Sequence, residues 1–215
     1  MEAVSQNAGV IAYAFWLTLK LFLIAGAGAM VLGLVLAGMR VSPVPPLRWF
    51  ARAYVQIVRN TPLTLILLTA NFGLPQAGIV FDFFTFAVIG LTLYTASFVA
   101  EAIRSGINAV PVGQAEASRS IGMTFGQTLR FVVLPQAVRT VVPPLGSVMI
   151  ALLKNTSVAS AIGVPQAMQE MYTLATRNSD QVLQILAAFA LVYAGLALLL
   201  SAMFRLLERR LAVAR

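Results

Sequence analysis

With 215 residues, 60% of them hydrophobic and 10% charged, the chain is far too apolar for one soluble domain and reads as an integral membrane protein. It has no cysteine and no histidine, which removes disulfides, thiol redox chemistry and the commonest transition-metal ligands; no Ser–His–Asp set or metal cluster can be assembled, so no catalytic residue and no metal site is assigned. The net charge of +8 has the sign a nucleic-acid binder needs, but the basic residues gather at the connections between apolar runs, which points to a membrane and not to nucleic acid.

A bilayer core takes about 20 apolar residues per spanning helix, and about five segments meet or approach that length. They are 11–39, 51–72, 83–103, 129–153 and 182–204, within a single transmembrane domain covering 1–215. The apolar runs are continuous instead of alternating, so the expected fold is all-α and not a β-barrel. Residues 1–9 lack a basic opening and the first apolar run is too long for a signal peptide.

Lys20 lies near the start of the first span, close enough to the surface for its ammonium to snorkel. Gly26, Gly28, Gly33 and Gly38 thin the same helix for close packing. The proline-rich turn 42–46 follows. Within the second span Arg59, Asn60, Thr61 and Pro62 form a polar patch that must face protein or water; Arg59 either pairs with Glu101 or Glu116 to hold helices together or serves gating and the substrate path. Glu101 and Arg104 sit three residues apart at the end of the third span, the spacing of an intrahelical ion pair.

Residues 112–135 form a polar island that reads as two short helices joined at a glycine. Pro111 suits a helix start, and Gly122 suits the left-handed conformation that ends one. Thr124 and Gln127 have the spacing of a capping box, so a second helix begins there and runs through Arg130 into an apolar face before Pro135 kinks or breaks it.

Beyond the island, Pro143, Pro144 and Gly146 are expected to interrupt the fourth span, and irregular backbone at membrane depth is tolerated where it lines a cavity. The following run 147–157 ends in a lysine, an amide and hydroxyls; Lys154 either opposes a substrate carboxylate or anchors the helix end at the surface. Residues 159–175 are too polar to span again and read as a short helix near the outer face.

With five spans, Arg40, Arg48, Arg52, Arg59, Arg104, Arg119, Arg130, Arg139, Arg205, Arg209, Arg210 and Arg215 fall on one side. Glu2, Asp82, Glu170, Arg177 and Asp180 fall on the other. The positive-inside rule then puts the N-terminus outside and the C-terminus and the 112–135 island in the cytoplasm.

The run Glu116-Ala117-Ser118, then Gly122, then Leu134-Pro135 resembles the EAA loop of ABC-importer permeases, with Ser118 where that family usually has a second alanine. Arg59-Asn60-Thr61-Pro62-Leu63, Glu101 with Arg104-Ser105-Gly106, Gly113-Gln114, Pro135-Gln136-Ala137 and Lys154-Asn155-Thr156-Ser157 resemble the polar-amino-acid subfamily. Arg-Ser-Gly-Ile-Asn at 104–108, Gly-Gln-Ala-Glu-Ala at 113–117 and Ile-Ala-Leu-Leu-Lys-Asn-Thr at 150–156 most resemble the glutamate-uptake permeases of actinobacteria. The resemblance implies a type I importer fold in the plasma membrane, with a cytoplasmic coupling helix between spans 3 and 4 in a coupling loop at about 110–127. It implies that Gly113, Gln114, Glu116, Ala117, Ser118 and Gly122 couple to a separate ATPase subunit, which would bind ATP and Mg; this chain has no phosphate-cradling G-x-x-x-x-G-K-[ST] of its own.

It also implies a second permease subunit, identical or paralogous, and an extracytoplasmic substrate-binding protein. Arg59, Thr61, Ser147, Lys154, Asn155, Thr156 and Ser157 are the expected substrate path. Relatives that carry cationic amino acids tend to have carboxylates where this chain has Val148 and Asn155, so an acidic or neutral amino acid is expected, and the resemblance to glutamate-uptake permeases puts glutamate first and glutamine or aspartate next. A secondary transporter using Glu101, or a membrane scaffold, would be the alternatives.

Overall fold

The computed structural model describes residues 2–211, and these form helices and turns with no strand among them. Four stretches are long and apolar enough to cross a bilayer: Ala8–Val41, Phe83–Asn108, Phe125–Ile162 and Ser179–Leu211. The short helix α1 (Glu2–Gln6) precedes the first of these, α2 (Ala8–Val41).

Helices α2 and α6 (Phe83–Asn108) form the centre of the bundle. They run parallel: Thr92 of α6 reaches the Ala25 carbonyl of α2, Gly33 meets Val99, and Arg40 meets Glu101. The crossing is close because position 33 has no side chain. A Cβ there would lie 2.5 Å from Val99 Cγ1, so a larger residue would drive the helices apart.

The expected second span is two pieces. Helix α3 (Pro45–Asn60) is amphipathic, burying Ala51 and Val55 while leaving Trp49, Phe50 and Arg52 exposed. Pro62 has no N–H and pushes Thr61 into extended backbone (φ −93°, ψ 132°), which ends α3 and turns the chain. The apolar stretch that follows, Leu63–Gln76, comprises α4 (Leu63–Leu68), a wide-turned π segment (Thr69–Gly73) and α5 (Leu74–Gln76). At 1.5 Å per residue it is about 21 Å long, shorter than the ~30 Å hydrocarbon core.

A second π segment (Thr128–Val133) lies between α8 (Phe125–Gln127) and α9 (Leu134–Asn155). Both π segments lead directly into the same tetrapeptide, Leu-Pro-Gln-Ala, at 74–77 and 134–137. A proline cannot donate the i→i−4 bond, and a turn widened by one residue is one way the helix absorbs the loss. Pro135 therefore widens the helix ahead of it and does not break it.

The expected interruption at Pro143, Pro144 and Gly146 is absent: α9 is continuous from Leu134 to Asn155 with both prolines inside it. The prolines cost the carbonyls of Arg139 and Thr140 their helical donors. Packing on both flanks holds the helix together, with the Thr140 hydroxyl donating to Gly106 O of α6 at 2.9 Å and Phe204 lying against Gly146.

After α9 the chain tightens into a 3₁₀ segment (Thr156–Ile162), then forms α10 (Ala167–Arg177), a 3₁₀ turn (Ser179–Gln181) and α11 (Val182–Leu211). The α10 end is pinned by buried Gln166, whose Oε1 accepts from Met168 N and from Tyr193 OH, and by buried Thr18, whose hydroxyl accepts from Ala167 N. Phe15 packs on Phe189 and Tyr193 alongside, with ring centroids 5.5 and 5.2 Å apart. Lys20 is exposed, with its ammonium 5.4 Å from the Phe84 ring centroid.

Candidate coupling loop and substrate cavity

The polar island is a compact element between α6 and α9. Helix α7 (Val112–Ser120) starts at Pro111 and ends as Gly122 adopts φ +84°, a left-handed conformation that costs other residues a Cβ clash. This lets Gly122 N donate to Arg119 O at 2.9 Å and Met123 N to Ser118 O at 3.2 Å. Helix α8 then opens with a complete capping box: Thr124 N donates to Gln127 Oε1 at 2.8 Å, and Gln127 N to Thr124 Oγ1 at 3.4 Å.

Gly113, Gln114, Glu116 and Ala117 are exposed on this element. Ser118 is buried at 5% exposure, and its hydroxyl donates to Ala115 O at 2.9 Å and bonds Thr128 Oγ1 at 3.0 Å. The serine is therefore the fastening between α7 and the π segment that continues into α9, a role its small size alone did not suggest. Sequence reading also passed over the apolar tips of this island: Val112, Ile121 and Phe125 are 72%, 80% and 69% exposed.

Between α6 and α9 lies a cavity of about 260 Å³ lined by Tyr94, Thr95, Phe98, Ser147, Val148, Ala151, Leu152 and Asn155. Its residues recur every three or four positions on each helix, so each wall is one helical face. The Tyr94 and Phe98 rings stand 5.0 Å apart, and Thr95 Oγ1 is buried with no hydrogen-bond partner among the described residues.

The seven expected path residues are divided by the structure. Ser147 and Asn155 line this cavity; Lys154 and Ser157 line a separate groove of about 610 Å³ against Tyr193 and Ala194 of α11. Thr156 is fully buried, and its hydroxyl donates to Leu153 O at 2.6 Å. Thr61 donates to Ile57 O at 2.8 Å and lies along a third groove with Leu65 and Leu93.

Arg59 belongs to a charged cluster. Among the described residues all three ion pairs end on Glu101, from Arg40, Arg59 and Arg104. Arg40 and Arg104 hydrogen-bond the carboxylate, Arg104 Nε at 3.2 Å, whereas Arg59 stands off at 3.6 Å with its guanidinium 5.1 Å from the Phe98 ring centroid. Glu116 has no part in it. The Glu101–Arg104 spacing was legible in sequence; Arg40 is 61 positions away and was not.

Comparison with known proteins bears on this arrangement. Residues 29–213 match the model of the family described as binding-protein-dependent transport system inner membrane component. The chain is 46% identical over 212 residues to the glutamate transport system permease protein GluC of Corynebacterium glutamicum, covering 93% of each chain. It is 42% identical over 199 residues to the probable glutamine ABC transporter permease protein GlnM of Bacillus subtilis, covering 92% of this chain and 91% of that one. A crystal structure of an amino acid ABC transporter with histidines superposes with a TM-score of 0.90 at 32% identity, over 96% of each chain. This chain, all-helical and multi-pass in the plasma membrane, belongs to the family of inner membrane components of binding-protein-dependent transport systems.

Proposed function

We propose that this chain is the permease subunit of an ATP-driven amino acid importer and that it carries glutamate, with glutamine or aspartate as the next candidates. The observation that carries the reading is the position of the exposed loop: it is the connection between α6 and α9, the two helices that wall the 260 Å³ cavity. A push on α7 therefore displaces those walls relative to each other. The similarity to GluC supports glutamate, and the lining residues include no acidic side chain that would suit a cationic substrate.

In this mechanism the chain hydrolyses nothing. A separate ATPase subunit binds ATP and Mg and closes on nucleotide, moving Gly113, Gln114, Glu116 and Ala117 in its socket with Val112, Ile121 and Phe125 as apolar anchors. The Ser118–Thr128 bond passes the movement into the π segment and α9. Ser147 and Asn155 then shift against Tyr94 and Phe98, and the cavity exchanges access from the outside to the cytoplasm. A second permease subunit, identical or paralogous, completes the path, and an extracytoplasmic binding protein delivers substrate to the opposite face. A secondary transporter would need a carboxylate free to exchange a cation, and Glu101 is held by three arginines.

The test is uptake of labelled glutamate by cells expressing the chain with its neighbouring subunits, competed by unlabelled aspartate, glutamine and arginine. Uptake that needs ATP and is competed by aspartate or glutamine but not arginine is the expected result. Preferential competition by arginine would overturn the substrate, and uptake that survives ATP depletion would overturn the importer.

A further inference from the structure

We infer that the arginine cluster at the cytoplasmic edge of α6 is a carboxylate-binding exit station, through which an anionic substrate passes after leaving the cavity between α6 and α9; the inference rests on the amino acid importer reading above.

Four observations lead there. First, a second cavity of about 410 Å³ is lined by Arg40, Val55, Gln56, Arg59, Asn60, Phe98 and Glu101. It shares Phe98 with the substrate cavity, so the two adjoin at that residue. Second, its charge does not balance. Two guanidiniums face one carboxylate, and that carboxylate is also bonded by Arg104 from behind. Excess positive charge beside a low-dielectric bundle is costly unless an anion visits it.

Third, Arg40 Nε is buried and has no hydrogen-bond partner among the described residues. Fourth, Arg59 is the loosely held member: at 3.6 Å from Glu101 and with its side chain 40% exposed, it keeps its fork of donors available while resting on Phe98. A guanidinium matches a carboxylate with two parallel bonds, and the amides of Gln56 and Asn60 supply neutral donors and acceptors around it.

The station discriminates by charge. An anionic substrate entering past Phe98 meets the exposed guanidinium of Arg59, to which glutamate brings two carboxylates and a net negative charge, whereas zwitterionic glutamine brings its α-carboxylate alone. Glu101 keeps the site from becoming a trap, because it competes for the same guanidiniums and returns them once the anion leaves.

The chain has no native cysteine, so a single engineered one reports on the site directly. Asn60→Cys is introduced into the assembled transporter, and its labelling by a neutral maleimide is timed in inside-out membrane vesicles with glutamate, glutamine or neither present. Glutamate is expected to slow labelling about tenfold and glutamine to leave it within about twofold. With Arg59→Gln added the protection disappears, and with Arg59→Lys part of it remains.

Labelling that glutamate does not slow, equal protection by glutamine, a cysteine that never labels, or loss of protection in the lysine variant as well would each overturn the station. Uptake by the unaltered transporter is measured separately. Failure of glutamate uptake overturns the substrate reading, whereas protection at Asn60→Cys reports the anion site whatever that result.

Discussion

The hydroxyl of Ser118 lies 3.0 Å from that of Thr128, in a buried contact that joins α7 to the π segment leading into α9. Ser118→Ala leaves the Thr128 hydroxyl without this partner and is expected to cost about 1 kcal/mol. The Ser118→Ala/Thr128→Val pair removes both polar groups and should recover most of it. Thermal unfolding of the purified chain measures this, and ATP hydrolysis per substrate moved measures whether the fastening transmits force. A double variant as unstable as the single one would show that the bond is not what the serine contributes.

Gly122 tests the turn of the loop by conformation alone. A Cβ there meets nothing within 4 Å, so Gly122→Ala acts only through the left-handed backbone, at about 1–2 kcal/mol. Asparagine tolerates that region better, and Gly122→Asn should fall between glycine and alanine in stability and in coupled ATP hydrolysis.

Glu101 holds three arginines, and Arg40 beside it has a side chain only 12% exposed. Glu101→Gln leaves the buried guanidinium without its counter-charge. Removing one partner of a buried pair costs about 3–5 kcal/mol, and the partial exposure of Glu101 places the expected loss nearer about 2–3 kcal/mol. Folded yield in detergent should drop for this variant far more than for Arg59→Gln, since Arg59 is the outermost of the three. Equal yields would remove Glu101 from its structural role.

Asn155→Asp puts a carboxylate into the cavity between α6 and α9 with almost no change in shape. Competition of glutamate uptake by arginine should rise about tenfold, the value of one charge-assisted bond, and glutamate itself should bind less well. Lys154→Gln lies in the other groove and should change this selectivity little. The opposite order would return Lys154 to the substrate path.

The apolar loop tips give a separate prediction. Ile121→Ser and Phe125→Ser remove exposed side chains, so the isolated chain should keep its stability within about 0.5 kcal/mol. Co-purification with the ATPase subunit should weaken about tenfold for each if they are anchors, as buried interface side chains commonly are.

Sequence alone determined what depends on neighbours a few positions apart or on composition. The apolar runs specify a helical membrane protein, Gly122 and the Thr124–Gln127 box specify the joints of the loop between α6 and α9, and Glu101–Arg104 specify a pair, because these partners lie within one helical turn. Tertiary structure decided the rest. Arg40 reaches Glu101 only because the glycine-thinned face of α2 runs parallel to α6. The prolines at 143 and 144 stay inside α9 because flanking helices brace it. The polar residues of 147–157 look like one group in sequence but are split, Ser147 and Asn155 to one cavity, Lys154 and Ser157 to another and Thr156 to the interior, since successive residues of a helix point about 100° apart and only packing against α6 or α11 tells the faces apart.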